Sequence, residues 1–339
     1  MANTTTTVSA SPPPLPGRGN GGRAYPIGAY YFPSWGVPGV SQWGLVPVER
    51  LPVRGAYDER DPAVVNSQLQ EMITFGLDYV NLCWYWNAGL RQPHAGTWAD
   101  NYRSNTVANK PRVTLMWDNT FSTIDTVVDW DAMVDHWLNV YSERADYFRI
   151  GDRPVVTVYS PALLKAQAGG GTDAGVKFLL DRARARVRGR GLGISPAANF
   201  FFLACGTGPH MVGGAGNAEA MGFDGVTAYN LVAGTNWDTY SATFSNFSRQ
   251  GVTTSPLPVL LPLGAGWDDI GGSTITNPTI NQFTAGLRLG LQYADYNPQN
   301  VLGFVVGAWN EFKEGSVIEP AAFYGGTARG LAIKSVFKP

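Results

Sequence analysis

The sequence predicts a single (β/α)8 barrel preceded by a short tail. The chain has 339 residues, a length that α/β barrels commonly occupy as one domain. From Tyr25 onward, eight short runs rich in Val, Ile, Phe and Tyr alternate with longer amphipathic stretches. Such alternation is typical of repeated βα units around a parallel sheet, and eight near-continuous apolar strands indicate that the sheet closes.

The first 24 residues are expected to remain outside the fold. Residues 1–24 are mainly Thr, Ser, Pro, Gly and Arg, so they cannot bury enough apolar surface. We therefore divide the chain into a disordered tail or linker (1–24) and the barrel domain (25–339). The tail lacks the apolar stretch of a signal peptide, but a secreted protein whose signal had been removed would look the same. Localisation stays open, with an extracytoplasmic site expected in that case.

The predicted strands are short apolar runs bounded by turn residues. They cover 27–32, 78–84, 112–117, 154–159, 200–205, 225–229, 258–263 and 302–308. The first predicted helix has Asp61 as its cap, Pro62 in its first turn and Gly76 at its end. The third, from Val127 to Tyr141, follows the 3.6-residue period. Further helices are expected near 174–190, 237–249, 277–294 and 321–336, and loops over 87–110 and 206–216.

Charge and cysteine content exclude several classes of partner. Lys and Arg total 25 against 26 for Asp and Glu, so no net field attracts nucleic acid or an anionic membrane. The longest apolar runs are far shorter than the ~20 residues that cross a bilayer. Cys83 and Cys205 fall on the second and fifth strands, which are not neighbours, so no disulfide is expected. Three unclustered histidines do not suggest a metal, and no cofactor is expected.

Aromatic content points instead to carbohydrate. The chain has 11 Trp and 15 Tyr, yet only 15% of its residues are charged. Aromatic rings stack on sugar faces while polar groups bind the hydroxyls. Core packing is the alternative explanation for the same rings. We expect a carbohydrate partner, and the sequence does not determine the oligomeric state.

Residues that follow the strands should line the active face of the barrel. Here they are rich in aromatic, amide and carboxylate side chains, and Asp118 and Asn119 could equally form an Asx turn. The predicted substrate-binding residues are Tyr31, Trp35, Trp86, Trp117, Asp118, Asn119, Tyr229, Trp267, Asp268, Trp309 and Asn310.

Glu311 and Glu314 are the predicted catalytic pair. Cleavage of a glycosidic bond with retention needs two carboxyl groups about 5–5.5 Å apart. Three residues apart in a helical turn, the two side chains would lie on one face, and their repulsion would raise the pKa of one of them. The alternative is a solvated acidic turn with Lys313 as counter-ion. Their position after the eighth strand, beside Trp309 and Asn310, favours catalysis.

The chain resembles glycoside hydrolase family 99 and the related WbsX-like proteins found with bacterial polysaccharide gene clusters. The resembling segments are GAYYFP (28–33), GAYD (55–58) with Asp61, Pro62 and Gln68, YFRI (147–150) with Arg153 and Pro154, GWD (266–268), and AWNEFKEG (308–315) with Ile318, Glu319 and Pro320. The last segment is the most specific.

The resemblance implies a retaining (β/α)8 hydrolase that cleaves α-mannosidic linkages inside a chain with two glutamates of an N-E-W-x-E-G motif. By resemblance, Glu311 deprotonates the sugar's own 2-hydroxyl, which attacks the anomeric carbon. Glu314 acts first as general acid and then as general base. The chain departs from the family at Phe312, where the family usually has Trp, and at Lys313, where the hydrolases carry His. These departures affect the expected substrate more than the expected reaction.

Two other functions remain as alternatives. WbsX-like proteins have been labelled glycosyltransferases, although no D-x-D motif follows a strand in this sequence. A carbohydrate-binding barrel that has lost catalysis would keep the aromatic mouth but would not need both glutamates.

Overall fold

The computed structural model describes residues 25–94, 96–121, 123–188, 199–205, 218–229, 256–272 and 274–339. Eight parallel strands form the barrel. They are β1 (Ile27–Tyr31), β2 (Tyr79–Asn87), β3 (Arg112–Trp117), β4 (Arg153–Val158), β5 (Phe201–Ala204), β6 (Gly225–Val226), β7 (Val259–Gly264) and β8 (Val301–Gly307).

The barrel closes because β1 pairs on both of its edges. Gly28 aligns with Tyr79 of β2 on one side and with Val305 of β8 on the other. The remaining strands follow in chain order around the barrel. The predicted (β/α)8 architecture is therefore confirmed, and each predicted strand coincides with an observed one.

Seven α-helices of the described residues accompany these strands. They are α1 (Pro62–Thr74), α2 (Thr97–Ser104), α3 (Val127–Trp137), α4 (Pro161–Ala166), α5 (Asp173–Arg188), α6 (Ile280–Tyr296) and α7 (Ala328–Phe337). The Asp61 side chain caps α1 by accepting from the Ala63 amide at 2.9 Å, as predicted. The helix predicted over 237–249 and the loop predicted over 206–216 lie outside the described residues.

The loop expected over 87–110 is partly wrong, because it holds a short strand (Gln92–His94) and α2. The strand folds back on the end of β2, where His94 pairs with Tyr85. Helix α2 has only eight residues and buries Trp98, Ala99 and Tyr102. Two turns of helix are too short to produce a clear periodic pattern in the sequence.

Alternation along the strands divides the buried residues into two layers. One set packs between strands and helices, as where Trp117 contacts Trp130 and Trp137 of α3. The other set fills the barrel and includes Tyr30, Met116 and Tyr229. Cys83 and Cys205 belong to this inner set, and no disulfide joins them, as predicted. None of the helices in the described ranges is long and apolar enough to cross a membrane.

Candidate active site

Glu311 and Glu314 lie on a β-hairpin that follows β8. Asn310 and Glu311 pair in antiparallel fashion with Val317 and Ser316, and residues 312–315 form the turn. The expected helical turn is therefore corrected to a hairpin. Gly315 closes the turn at φ +68°, and a Cβ there would lie 2.8 Å from the backbone nitrogen of Asp268, so only glycine fits.

Loop contacts hold the hairpin from behind. The Asp268 amide donates to the Glu314 carbonyl at 2.9 Å, and the Ile270 amide donates to the Lys313 carbonyl at 3.0 Å. The Arg50 guanidinium in turn donates to the Asp268 carbonyl at 2.9 Å and pairs with its carboxylate. The turn that carries Glu314 is therefore fixed by backbone hydrogen bonds to the loop after β7.

Glu311 is almost fully buried at the mouth of the barrel, with 6% of its surface exposed. The hydroxyl of Tyr229, three residues beyond β6, donates to its Oε1. Burial raises the pKa of Glu311 well above its ordinary value, and the charge of Glu314 raises it further. The Tyr229 hydrogen bond and Lys313 act in the opposite direction.

The pair is surrounded by side chains from other strands. Asp118 follows β3, and its charge raises the pKa of Glu311. Tyr159 follows β4, and its ring centroid lies 5.9 Å from that of Tyr229. The Cys83 thiol is 3.7 Å from the Tyr229 hydroxyl. Of the predicted residues, the structure thus brings together Asp118, Tyr229, Glu311 and Glu314.

An aromatic platform adjoins these carboxyl groups. We give this name to Tyr85, His94 and Phe121. The rings of His94 and Phe121 stack with centroids 4.3 Å apart, and the Tyr85 and Phe121 centroids are 5.9 Å apart. Phe121 is 46% exposed, and the charges of Asp118, Glu311 and Glu314 all act on Tyr85. The platform offers an apolar surface beside the pair.

Sequence reasoning missed the platform and Tyr159, although a signal existed. Alternation along β2 places Cys83 and Tyr85 on the inner face, and Trp84 and Trp86 on the outer face. The inner residues could have been identified from that period of two. Phe121 has no such periodic signal, because it lies in a loop.

The structure buries Trp35, Trp86, Trp117 and Trp309, four of the predicted substrate-binding residues. Each is at most 2% exposed, so none presents a ring face to a ligand. Trp86 packs on His136 of α3, and Trp309 packs on Phe75. Trp35 contacts Trp43 and Phe312. Phe312, which stands where the family usually has Trp, therefore lies in the core. Only Trp267 among the predicted tryptophans is half-buried rather than buried.

Four other predicted substrate-binding residues, Tyr31, Asn119, Asp268 and Asn310, have partners within the protein. Both ends of the Asn119 amide bond the Ser160 backbone at 2.8 Å. The Asn310 amide bonds the Phe32 backbone at 2.8 and 2.9 Å and the Tyr57 hydroxyl at 3.2 Å. Asp268 pairs with Arg50. Tyr31 points outside the barrel, where its hydroxyl contacts Glu59 and Gln68.

Asp118 forms the Asx turn, one of the two roles that the sequence left open. Its Oδ1 accepts from the Thr120 amide at 2.9 Å, which forms an Asx turn. The side chain is nevertheless half-buried at the mouth and acts on Glu311. Within the described part of the chain, no group of three or more His, Cys, Asp or Glu residues could hold a metal ion.

No family model matches the sequence, and no curated protein matches it either. Solved structures do resemble the fold. The GH99 endo-α-mannosidase from Bacteroides thetaiotaomicron superposes with a TM-score of 0.64 at 13% identity, covering 92% of this chain and 95% of that one. A second structure of that enzyme gives 0.63 at 15% identity, over 92% and 95% of the two chains.

A glycoside hydrolase-like protein gives a TM-score of 0.65 at 14% identity, over 94% of this chain and 95% of its own. These likenesses extend over nearly the whole of each chain. At such low identities they establish a shared barrel fold, and the chemistry has to be argued from the side chains.

Removing the Tyr229 hydroxyl should shift the pH dependence of the site. Its hydrogen bond lowers the pKa of Glu311, so Tyr229→Phe should raise that pKa. If Glu311 acts as a base, the acidic limb of kcat/KM then moves to higher pH, and kcat/KM on that limb falls by roughly tenfold, the effect of one hydrogen bond to a charged group. A pH–rate profile measures the shift.

Tyr30→Phe is the matched control. The Tyr30 ring lies 4.8 Å from that of Tyr229, but its hydroxyl contacts Thr227 and the Ala228 carbonyl rather than Glu311. An equal shift of the acidic limb in both variants would contradict the assigned role of Tyr229.

Proposed function

We propose that this protein is a retaining glycoside hydrolase that uses Glu311 and Glu314 as its catalytic carboxyl groups. The observation that carries the proposal is the buried Glu311, held by Tyr229 and next to Glu314 at the carboxyl end of the barrel strands. In barrels of this kind that end carries the active site. The fold shared with a GH99 endo-α-mannosidase supports an α-mannosidic or related glycan as substrate.

The electrostatics support a division of roles between the two glutamates. A carboxylate with a raised pKa is the stronger base, which suits removal of a proton from a sugar hydroxyl. Because Glu311 and Glu314 repel each other, ionisation of one carboxyl group disfavours ionisation of the other. The productive form has the proton on Glu314. Burial and the charge of Glu314 act against this form, whereas Tyr229 and Lys313 favour it because both stabilise an ionised Glu311.

The proposed reaction has two steps. Glu311 takes the proton of the 2-hydroxyl, whose oxygen attacks the anomeric carbon while Glu314 protonates the departing oxygen. The products of this first step are the shortened glycan and an anhydro sugar. Glu314 then deprotonates a water that attacks the anomeric carbon, the bond to the 2-oxygen breaks, and Glu311 returns its proton to that oxygen. Two displacements give retention of configuration.

The deciding experiment is product analysis over a panel of polysaccharides and glycans, including α-mannan oligosaccharides. We expect new reducing ends with retained anomeric configuration, observed by NMR during the first turnovers. Sugar binding without turnover would identify a carbohydrate-binding barrel, and turnover only with a nucleotide sugar would identify a glycosyltransferase.

The platform should contribute to substrate binding. Phe121→Ala removes the exposed stacking ring, and we expect KM to rise by about 2- to 12-fold, because aromatic stacking is worth about 0.5–1.5 kcal/mol. Since the ring takes no part in the proton transfers of the carboxyl pair, kcat should change less than KM. Phe178→Ala is the control, since Phe178 is 53% exposed on α5 in the outer layer. If Phe121→Ala and Phe178→Ala had the same kcat and KM, the platform would not belong to the substrate-binding site.

A further inference from the structure

A buried polar cluster lies behind the catalytic hairpin, outside the barrel wall. We call it the Glu59 cluster; it consists of Tyr31, Tyr57, Glu59, Gln68 and Glu319. All five side chains are buried, and the two carboxyl groups are at most 1% exposed. Helix α1 supplies Gln68, and β1 supplies Tyr31. A buried carboxyl group needs either a charged partner or a proton.

The hydrogen-bond donors around Tyr31 are too few if Glu59 is ionised. The Tyr31 hydroxyl oxygen lies 2.8 Å from Glu59 Oε1 and 3.0 Å from Gln68 Oε1. One hydroxyl proton cannot serve two acceptors at once. A proton on Glu59 satisfies both contacts, because Glu59 then donates to Tyr31 and Tyr31 donates to Gln68.

The orientation of the Gln68 amide is fixed by its other neighbours. The Trp98 indole nitrogen can only donate, and it lies 3.2 Å from Gln68 Oε1. Gln68 Nε2 lies 3.1 Å from Glu319 Oε1. Reversing the amide would place donors against the indole and an oxygen against the carboxylate. Gln68 Oε1 therefore accepts, and the missing proton belongs to Glu59.

Glu319 differs from Glu59, because only donors surround it. Arg54 Nε lies 3.1 Å from its Oε1, and the Tyr57 hydroxyl donates to its Oε2 at 2.9 Å. These contacts suit an ionised carboxylate. Burial raises the pKa of Glu59 to about 8 and that of Glu319 to about 7. Glu59, to which the hydrogen bonds assign the proton, thus has the higher pKa of the two.

Two chains of hydrogen bonds connect Glu59 with Asn310, the residue before Glu311. In the first, the Glu59 amide donates to the Trp35 carbonyl at 3.1 Å, and the Trp35 indole donates to the Asn310 carbonyl at 3.1 Å. In the second, Tyr31, Gln68, Glu319 and Tyr57 lead to the Asn310 amide. Glu59 Oε2 also accepts from the Ser34 amide at 2.7 Å, which fixes the start of the first chain.

We propose that Glu59 is a positioning residue that acts as a neutral carboxylic acid, whose proton completes the hydrogen bonds that hold Asn310 and, through it, Glu311. The proposal about the proton stands without the proposed function, whereas its effect on catalysis rests on it.

Few other groups can titrate against Glu59. Tyr31 faces it from β1, Tyr57 from the loop that carries Glu59, and Glu319 from the segment after the hairpin. Arg54 and Glu71 lie beyond Glu319 and pair with each other. Helix α2 contributes Asn101, whose amide donates to the Glu59 carbonyl at 2.7 Å. On the exposed side, Asp58 and Arg60 pair with each other.

The proton has a consequence for stability. The folded protein keeps the Glu59 proton up to about pH 8, whereas the unfolded chain releases it near the ordinary value. The folded state thus binds more protons over this interval, and its stability falls as the pH rises from about 5 to 8. Glutamine keeps the donor but does not titrate. The Tm of Glu59→Gln relative to wild type should therefore rise over this interval.

The first test measures Tm from pH 5 to 9 for the full chain, without substrate. We expect the Tm of Glu59→Gln to rise by several degrees relative to that of wild type as the pH rises to 8. Glu319→Gln is the matched control. Its amide would turn an N–H group toward Arg54, Gln68 or Tyr57, so it should melt below wild type at pH 8. A Tm difference between Glu59→Gln and wild type that is flat or falls with pH would overturn the proposal.

The second test measures kcat and KM at pH 6 on the best substrate of the glycan panel. Glu59→Ala should lower kcat by about 10- to 100-fold with little change in KM, the effect of misplacing a catalytic group by a fraction of an ångström or more. Glu59→Gln should restore most of that loss. Equal kcat in the two variants would refute the positioning role. If wild type hydrolyses no glycan, the proposed function fails, while the melting series still decides the state of Glu59.

Discussion

Glu311→Gln should lower turnover on a natural glycan by about 10²–10⁴-fold, the contribution typical of a general acid or base. The amide cannot take the proton of the 2-hydroxyl, so substrates with good and poor leaving groups should suffer alike. The variant should still fold, because glutamine keeps an oxygen for the Tyr229 hydroxyl and no longer carries a buried charge. Initial rates on one natural and one activated aryl substrate, with Tm alongside, provide the measurement.

The control for this variant is Glu219→Gln. Glu219 is exposed and precedes β6, so it lies toward the opposite end of the barrel. Near-wild-type turnover in Glu311→Gln would end its assignment as a catalytic residue. A covalent sugar adduct on Glu311, found by mass spectrometry, would instead make this carboxylate the direct nucleophile.

Glu314→Gln should separate substrates by their leaving groups. Without the proton donor, turnover of a natural glycan should fall by about 10²–10⁴-fold. An activated aryl glycoside should retain a larger part of its rate in the first step, because a phenolate with a low pKa departs without protonation. The measurement is the ratio of kcat/KM for the two substrates in wild type and variant.

An unchanged ratio would contradict the role of Glu314 as general acid. If the ratio changed in Glu311→Gln instead, the two roles would be exchanged. That outcome has a physical basis, because burial raises the pKa of Glu311 and a raised pKa also suits an acid. The two variants together therefore decide which carboxyl group protonates the departing oxygen.

The barrel could be predicted from the sequence because strand identity depends on local composition. Each strand is a short apolar run, and the start of α1 is encoded by its N-cap Asp61 and by Pro62 in its first turn. The position of the glutamates after β8 was equally accessible. Their hairpin was not, because its pairing depends on contacts with Asp268 and Ile270 that lie far away in sequence.

The surroundings of the predicted binding residues were harder to predict than the position of the two glutamates. A tryptophan near a strand end can face a helix or the barrel interior, and the sequence does not say where the pleat places it. Tyr30 and Tyr31 illustrate the difficulty, since Tyr30 enters the barrel and Tyr31 joins the Glu59 cluster. Partners distant in sequence, such as Phe32 for Asn310 and Ser160 for Asn119, likewise cannot be read from local pattern.

The hydrogen bonds that tie the hairpin to Asp268 and, through Asn310, to Phe32 divide the barrel mouth into two halves. The half formed by the loops after β7, β8 and β1 holds Glu311 and Glu314 in a continuous framework of hydrogen bonds. The platform belongs to the other half, on the loops after β2 and β3. Under the proposed function, exchanging those two loops for others should change which glycans bind while Glu311 and Glu314 stay in place, so that new specificities could arise without rebuilding the hairpin.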